Sequence, residues 1–187
     1  METKKVADSV QERQKVIQIK NVKVCEWASK DSTAFTCSVY FNGVRVGTAE
    51  DRGFGGCVGF SFNDELFTEM NDWCKENLPT WNLTDMGYTN VPNPDERMKV
   101  DLETHISNLV IAWLEQKDMK RMLKKGTILV DDSCESGQYW INKSTNPERF
   151  YDKWESEGKK ILNKMDIETA CRELHKKQSR QIDWGVK

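Results

Sequence analysis

The chain has only 2 histidines in 187 residues, and none of its 6 cysteines belongs to a CxxC pair. Imidazole chemistry is therefore limited to His105 and His175, which are far apart in sequence. Zinc centres use clustered nitrogen and sulfur ligands, and no such spacing occurs. Cys25, Cys37, Cys57, Cys74, Cys134 and Cys171 are widely scattered, which favours buried reduced thiols over a disulfide framework. No apolar run approaches a membrane span. The start, METKKVADSVQERQKV, lacks an apolar signal core, so a cytoplasmic protein is expected. Also missing are a GK[ST] phosphate loop and any RRM, KH, helix-turn-helix or zinc-finger pattern. The formal net charge is only -2.

What is present is a strong antiparallel signal between Val22 and Phe62. Phe35, Cys37, Val39 and Phe41 alternate with Thr36, Ser38 and Tyr40, the period of a half-buried strand. Asn42-Gly43 follows at once, a favoured two-residue turn because both residues tolerate positive φ. Such a turn pairs Phe41 with Val44 and Val39 with Val46. Val16, Ile17 and Ile19 begin an earlier strand whose phase changes near Lys20-Asn21, the mark of a bulge or bend. Ser29-Lys30-Asp31-Ser32 is turn chemistry. Beyond the loop Asp51-Arg52-Gly53-Phe54-Gly55-Gly56, the residues Val58, Phe60 and Phe62 alternate again.

Helical patterns come next. Asn63 is a good N-cap, with Asp64 and Glu65 in the first turn. Leu66, Phe67, Met70, Trp73 and Cys74 form one stripe, expected to cross the Phe35/Val39/Phe60 face. Pro79 ends this helix, and the stretch from Thr80 to Glu96 is too irregular for an element. Val100 to Lys125 reads as the longest helix, with Leu102, Ile106, Leu109, Val110, Trp113 and Leu114 buried. Gly126 stops it. Thr127–Val130 and Gln138–Ile141 suggest a hairpin around DDSCESG. Asn146-Pro147 caps a further helix with Phe150, Trp154 and Ile161 inward, broken near Gly158. Asp166 caps the last helix, whose stripe is Ile167, Ala170, Cys171 and Leu174. The order argues α+β: an N-terminal antiparallel β-meander packed on helices in 1–125, and a small β-hairpin and helix lobe in 126–187.

Candidate chemistry is thin. The glycine-rich loop at 51–56 opens into a strand instead of a helix, so it fits a wide hairpin loop better than a phosphate cradle. Phe54 at its tip is a candidate partner anchor beside Asp51 and Arg52. A Cys57/His105 dyad is conceivable, but His105 sits beside an apolar helical stripe where packed histidines are common. Asp131, Asp132 and Glu135 suit a polar turn better than a cation site. No cofactor and no metal is expected. Two basic clusters could meet nucleic acid: Lys120, Arg121, Lys124 and Lys125 with Lys117, and Arg172, Lys176 and Arg180, with Trp184 beyond as a stacking ring. Between Asp64 and Glu103, by contrast, acids far outnumber Lys75, Arg97 and Lys99.

Two segments carry a family resemblance. Ser29–Phe60, with KDSTAF and VYFNGVRVGTAED before a glycine-rich loop, resembles the amino-terminal portion of small proteins carried by bacteriophages and other bacterial mobile elements. Lys124–Leu174, with KKGTILVDD, YW and KKILNKM, resembles their carboxy-terminal portion. The resemblance carries over no catalytic residue. It implies an accessory protein acting inside a bacterial host, a class that often inhibits host systems. The expectation is a non-enzymatic inhibitor of a host protein or ribonucleoprotein complex. Its expected contacts are Asp51, Arg52 and Phe54, Trp81 and Tyr88, and the acidic start of the helix at Asp64 and Glu65.

Overall fold

The computed structural model describes residues 16–84, 92–93, 95–134 and 137–175. The chain is α+β, and its described residues divide into two compact units that part between Ala112 and Trp113. The division falls within one helix, earlier in the chain than the expected one after Lys125. Met119, on the last turns of that helix, packs into the core of the second unit.

The first unit carries a four-stranded antiparallel sheet of β1 (Ile17–Val24), β2 (Phe35–Phe41), β3 (Val44–Asp51) and β4 (Gly59–Phe60), adjacent in that order. The alternation in β2 holds: Phe35, Cys37, Val39 and Phe41 are buried and Thr36 is exposed. Ser38 departs from it. It is buried, and its hydroxyl accepts from Asn21 Nδ2 at 3.4 Å. Asn21 lies at φ 54, inside the bulge that shifts the β1–β2 register between Lys20 and Lys23. Asn42 and Gly43 take φ 50 and 81, the twist that suits a tight hairpin.

The expected register beyond that turn needs correction. Phe41 does pair with Val44, but Val39 faces Gly47 instead of Val46. A second bulge leaves one extra residue on β3 between the Tyr40–Arg45 and Val39–Gly47 pairs. The alternation of Val44 and Val46 could not reveal it, because an inserted residue changes phase without changing composition. The bulge brings Ala49, almost fully buried, opposite Cys37 in the core.

Helix α1 (Asp64–Asn77) starts as its sequence requires. Asn63 Oδ1 accepts from Leu66 N at 3.0 Å, and Met70 and Cys74 are fully buried. The Phe67 ring lies 5.4 Å from that of Phe60 and so joins α1 to the Phe60 face. Asn71 Oδ1 then accepts from Leu102 N, which ties α1 to the start of α2 (Leu102–Leu123).

The second unit is built on β5 (Thr127–Val130), buried at every position. It lies between β6 (Trp140–Asn142) and β7 (Lys160–Ile161), antiparallel to both. Ile128 and Val130 pack with Met119, Leu162, Ala170, Cys171 and Leu174, the last three from α4 (Ile167–His175). Leu129 packs with Trp154 of α3 (Tyr151–Ser156) and with Ile161. The expectation of Ile161 on a helix is thereby corrected, since it is a strand residue paired with Leu129. The helix stops early because Gly158 turns the chain at φ 77. Asp166 caps α4 as expected, its Oδ1 accepting from Thr169 N. Among the described residues no helix is long and apolar enough to cross a membrane.

Candidate functional site

The clearest exposed construction is a pair of loops at one end of the first sheet. A short turn of 3-10 helix at Glu26–Ala28 begins the first loop, and residues 52–57 form the second. Gly53 joins them. Its carbonyl accepts from the backbone amides of Lys30 at 2.9 Å, Asp31 at 3.0 Å and Ser32 at 3.5 Å. Gly53 is buried at φ 85, and a Cβ there would lie 2.2 Å from the Ala28 carbonyl oxygen. Only glycine satisfies both conditions. Asp51 Oδ1 completes the joint by accepting from Gly53 N at 2.6 Å and from Ser32 Oγ at 2.8 Å. Ser32 Oγ also accepts from Gly55 N.

Two large aromatic rings stand on this joint. Trp27 is 87% exposed and Phe54 62%. The Lys30 ammonium lies 5.3 Å from the Phe54 ring centre, and exposed Arg52 pairs with Glu50 at 3.3 Å. The expected surface position of Phe54 is thus observed. Asp51 is instead engaged in bracing the joint. Trp27 is not among the contacts expected from the sequence. Its signal was there, a tryptophan just ahead of the turn residues Ser29–Ser32, with no alternating partner to bury it.

The other expected contacts lie elsewhere. Asp64 and Glu65 are exposed on the first turn of α1. That turn follows Ser61, whose amide donates to the carbonyl of Thr48, three residues before Asp51 on β3. Trp81 is half-buried and bridges to Met98, and its indole Nε1 is buried with no hydrogen-bond partner among the described residues. Tyr88 lies outside the described residues, as do Lys176, Arg180, Trp184 and Glu135. Arg172 is exposed and pairs with Glu168 at 3.1 Å.

The residues with catalytic potential are mostly buried or engaged. Burial pushes the thiols of Cys37 and Cys171 up to about 11 and that of Cys74 up to about 12, so they stay protonated at neutral pH. Burial also lowers His105 to about 4. Cys57 is exposed, whereas His105 is only 7% exposed, and no hydrogen bond joins them among the described residues. Asp131 Oδ1 accepts from Ser133 N, Ser133 Oγ and Cys134 N, which is a polar turn closing on itself. No cluster of metal-ligating side chains occurs among the described residues.

The basic end of α2 is arranged differently from the expectation. Of the stripe expected to be buried, Leu102, Ile106 and Val110 are, whereas Leu109, Trp113 and Leu114 are only half-buried, and the Lys117 ammonium sits 4.9 Å from the Trp113 ring centre. With Gln116, Lys120, Arg121 and Lys124, Trp113 and Lys117 line a groove of about 310 Å³. Lys125 is exposed but does not line it. No protein-family model, curated protein or solved structure matches the chain.

Proposed function

We propose that the chain is a non-enzymatic binding protein that engages a protein surface through the paired-loop tip. The observation that carries this reading is the exposure of Trp27 and Phe54 on a backbone locked from beneath by Gly53. Aromatic rings held at low conformational cost are the residues that concentrate binding energy at protein interfaces. Lys30 lies beside the Phe54 ring, and the exposed Glu26, Asp31, Glu50 and Arg52 are close to the two rings in sequence and offer charge of mixed sign, as interface rims do. The resemblance of 29–60 and 124–174 to proteins of phages and mobile elements supports the setting. There the chain would act inside a bacterium and block a host assembly.

The test is affinity capture from a bacterial host lysate, run in parallel with the native chain and a Trp27→Ala/Phe54→Ala variant. Both rings are largely exposed, so the variant should melt within a few degrees of the native chain. It should lose its captured host protein, with affinity weakened about 30-fold or more, the hot-spot range. Equal capture by the variant would overturn the proposal.

A further inference from the structure

We propose that the outer face of α2 binds single-stranded nucleic acid. The face consists of Trp113, Gln116, Lys117, Lys120, Arg121 and Lys124. Their spacing of three and four residues places Trp113 to Arg121 on one side of the helix, over about 12 Å of its length, with Lys124 in the turn just after its end. The opposite side is occupied: Met119 is buried in the core of the second unit, with Met122 and Leu123 packed against that core. Only one face is therefore on offer, and it carries four cations.

Their charge is poorly compensated. Arg121 pairs with Asp118 at 2.7 Å in a solvent-exposed contact. Lys117, Lys120 and Lys124 have no acidic partner among the described residues, and Glu115 is the other acid on this part of the helix. A face of this kind stands out in a chain whose formal net charge is -2. Anions are its electrostatic complement, and a row of phosphates would release counterions from each lysine it meets.

Trp113 decides between the kinds of anion. Its ring lies in the groove under the Lys117 ammonium. Sites for single strands combine a cationic track with an aromatic surface on which a base stacks. A duplex presents base edges in its grooves, not base faces, and gives Trp113 nothing to stack on. An acidic peptide satisfies the lysines but leaves the ring unused. The groove volume of about 310 Å³ is at the low end for a binding cleft, enough for a single unstacked nucleotide.

The test is fluorescence anisotropy of the full chain with a labelled oligothymidylate of about 12 nucleotides, within the usual site size. Binding at low salt is expected, with log affinity falling against log salt at a slope of about -2 to -3, for three or four phosphates. Lys117→Gln/Lys120→Gln/Lys124→Gln removes three exposed cations, and with Lys117 its contact to the Trp113 ring. It should weaken binding tenfold or more and flatten the slope. Trp113→Leu should weaken binding about tenfold with the slope unchanged, since stacking releases no counterions. No binding at low salt would overturn the proposal, as would an unchanged triple variant. Equal competition by a duplex of the same length or by polyglutamate would also overturn it, because either would reduce the face to a general anion surface.

Discussion

The two candidate surfaces are held in place by two different kinds of joint. At the tip of the first unit the hub is Gly53, which works through its backbone: one carbonyl gathers three amides. In the second unit the hub is Asn163, which works through its side chain. Its Oδ1 accepts from Ile128 N at 2.8 Å, while its Nδ2 donates to the Gly126 carbonyl at 3.1 Å and the Leu123 carbonyl at 3.3 Å. These partners lie at the end of α2 and the start of β5, on either side of Lys124. A backbone hub depends on a conformation that one residue type alone adopts. A side-chain hub depends on donors and acceptors that can be removed one at a time. The first should fail all at once and the second by degrees.

The largest effect should come from Gly53→Ala. The new Cβ would meet the Ala28 carbonyl at 2.2 Å, and alanine at φ 85 is strained. Left-handed backbone costs roughly 1–2 kcal/mol, and separating the loops forfeits hydrogen bonds worth about 1 kcal/mol each. A loss of roughly 3–4 kcal/mol in urea unfolding is expected, with capture of the partner lost as well. A stability loss below about 1 kcal/mol would mean that the two loops are not coupled through Gly53.

Acid should separate the two units. His105 belongs to the first, and burial lowers its pKa from 6.5 to about 4. The unfolded chain therefore binds a proton at a pH where the folded chain does not. Stability is complete above pH 6.5 and falls as pH drops toward 4, by up to about 3 kcal/mol. In the second unit, hydrogen bonds from Thr169 lower Asp166, and those from Ser133 lower Asp131, each below the ordinary 3.8. Their stabilisation is lost only at more acid pH. Hydrogen exchange at pH 5 should accordingly rise in β2 before β5. In His105→Gln the lag between the two should shrink, and an identical lag in that variant would exclude His105 as its source.

How much of this could be read from the sequence depended on whether the signal was local. The β2 alternation, the Asn42-Gly43 turn and the caps at Asn63 and Asp166 each rest on neighbouring residues, and all are observed. The bulge between Val39 and Tyr40 and the strand at Lys160–Ile161 depend on a partner strand, which no window of sequence contains. The tip was legible in part. Its glycines announced positive φ, and Phe54 announced exposure. That Gly53 docks against residues 28–32 of another loop was not legible. The spacing of Trp113 continues the apolar stripe, and only the packing of Met119 shows where that stripe turns away.

The smallest effect is expected at the side-chain hub. Asn163 is itself exposed, so water can replace it at the Leu123 and Gly126 carbonyls. Ile128 is fully buried, and its amide would be left without a partner in Asn163→Ala. One unsatisfied buried donor costs about 1–3 kcal/mol, so a loss of about 2 kcal/mol is expected. Asn163→Asp divides the joint. It keeps an acceptor for Ile128 N but removes both donors and sets a carboxylate against two carbonyl oxygens. If the Ile128 bond dominates, Asp should cost less than Ala. If the clamp on the end of α2 dominates, Asp should cost as much or more, and oligothymidylate binding should weaken with it, since Lys124 sits beside the clamp. Urea unfolding of the two variants, with anisotropy on each, gives the answer. Full stability in Asn163→Ala would show that β5 and α2 hold their places without this residue, and the contrast with Gly53 would then be one of a hub against an ornament.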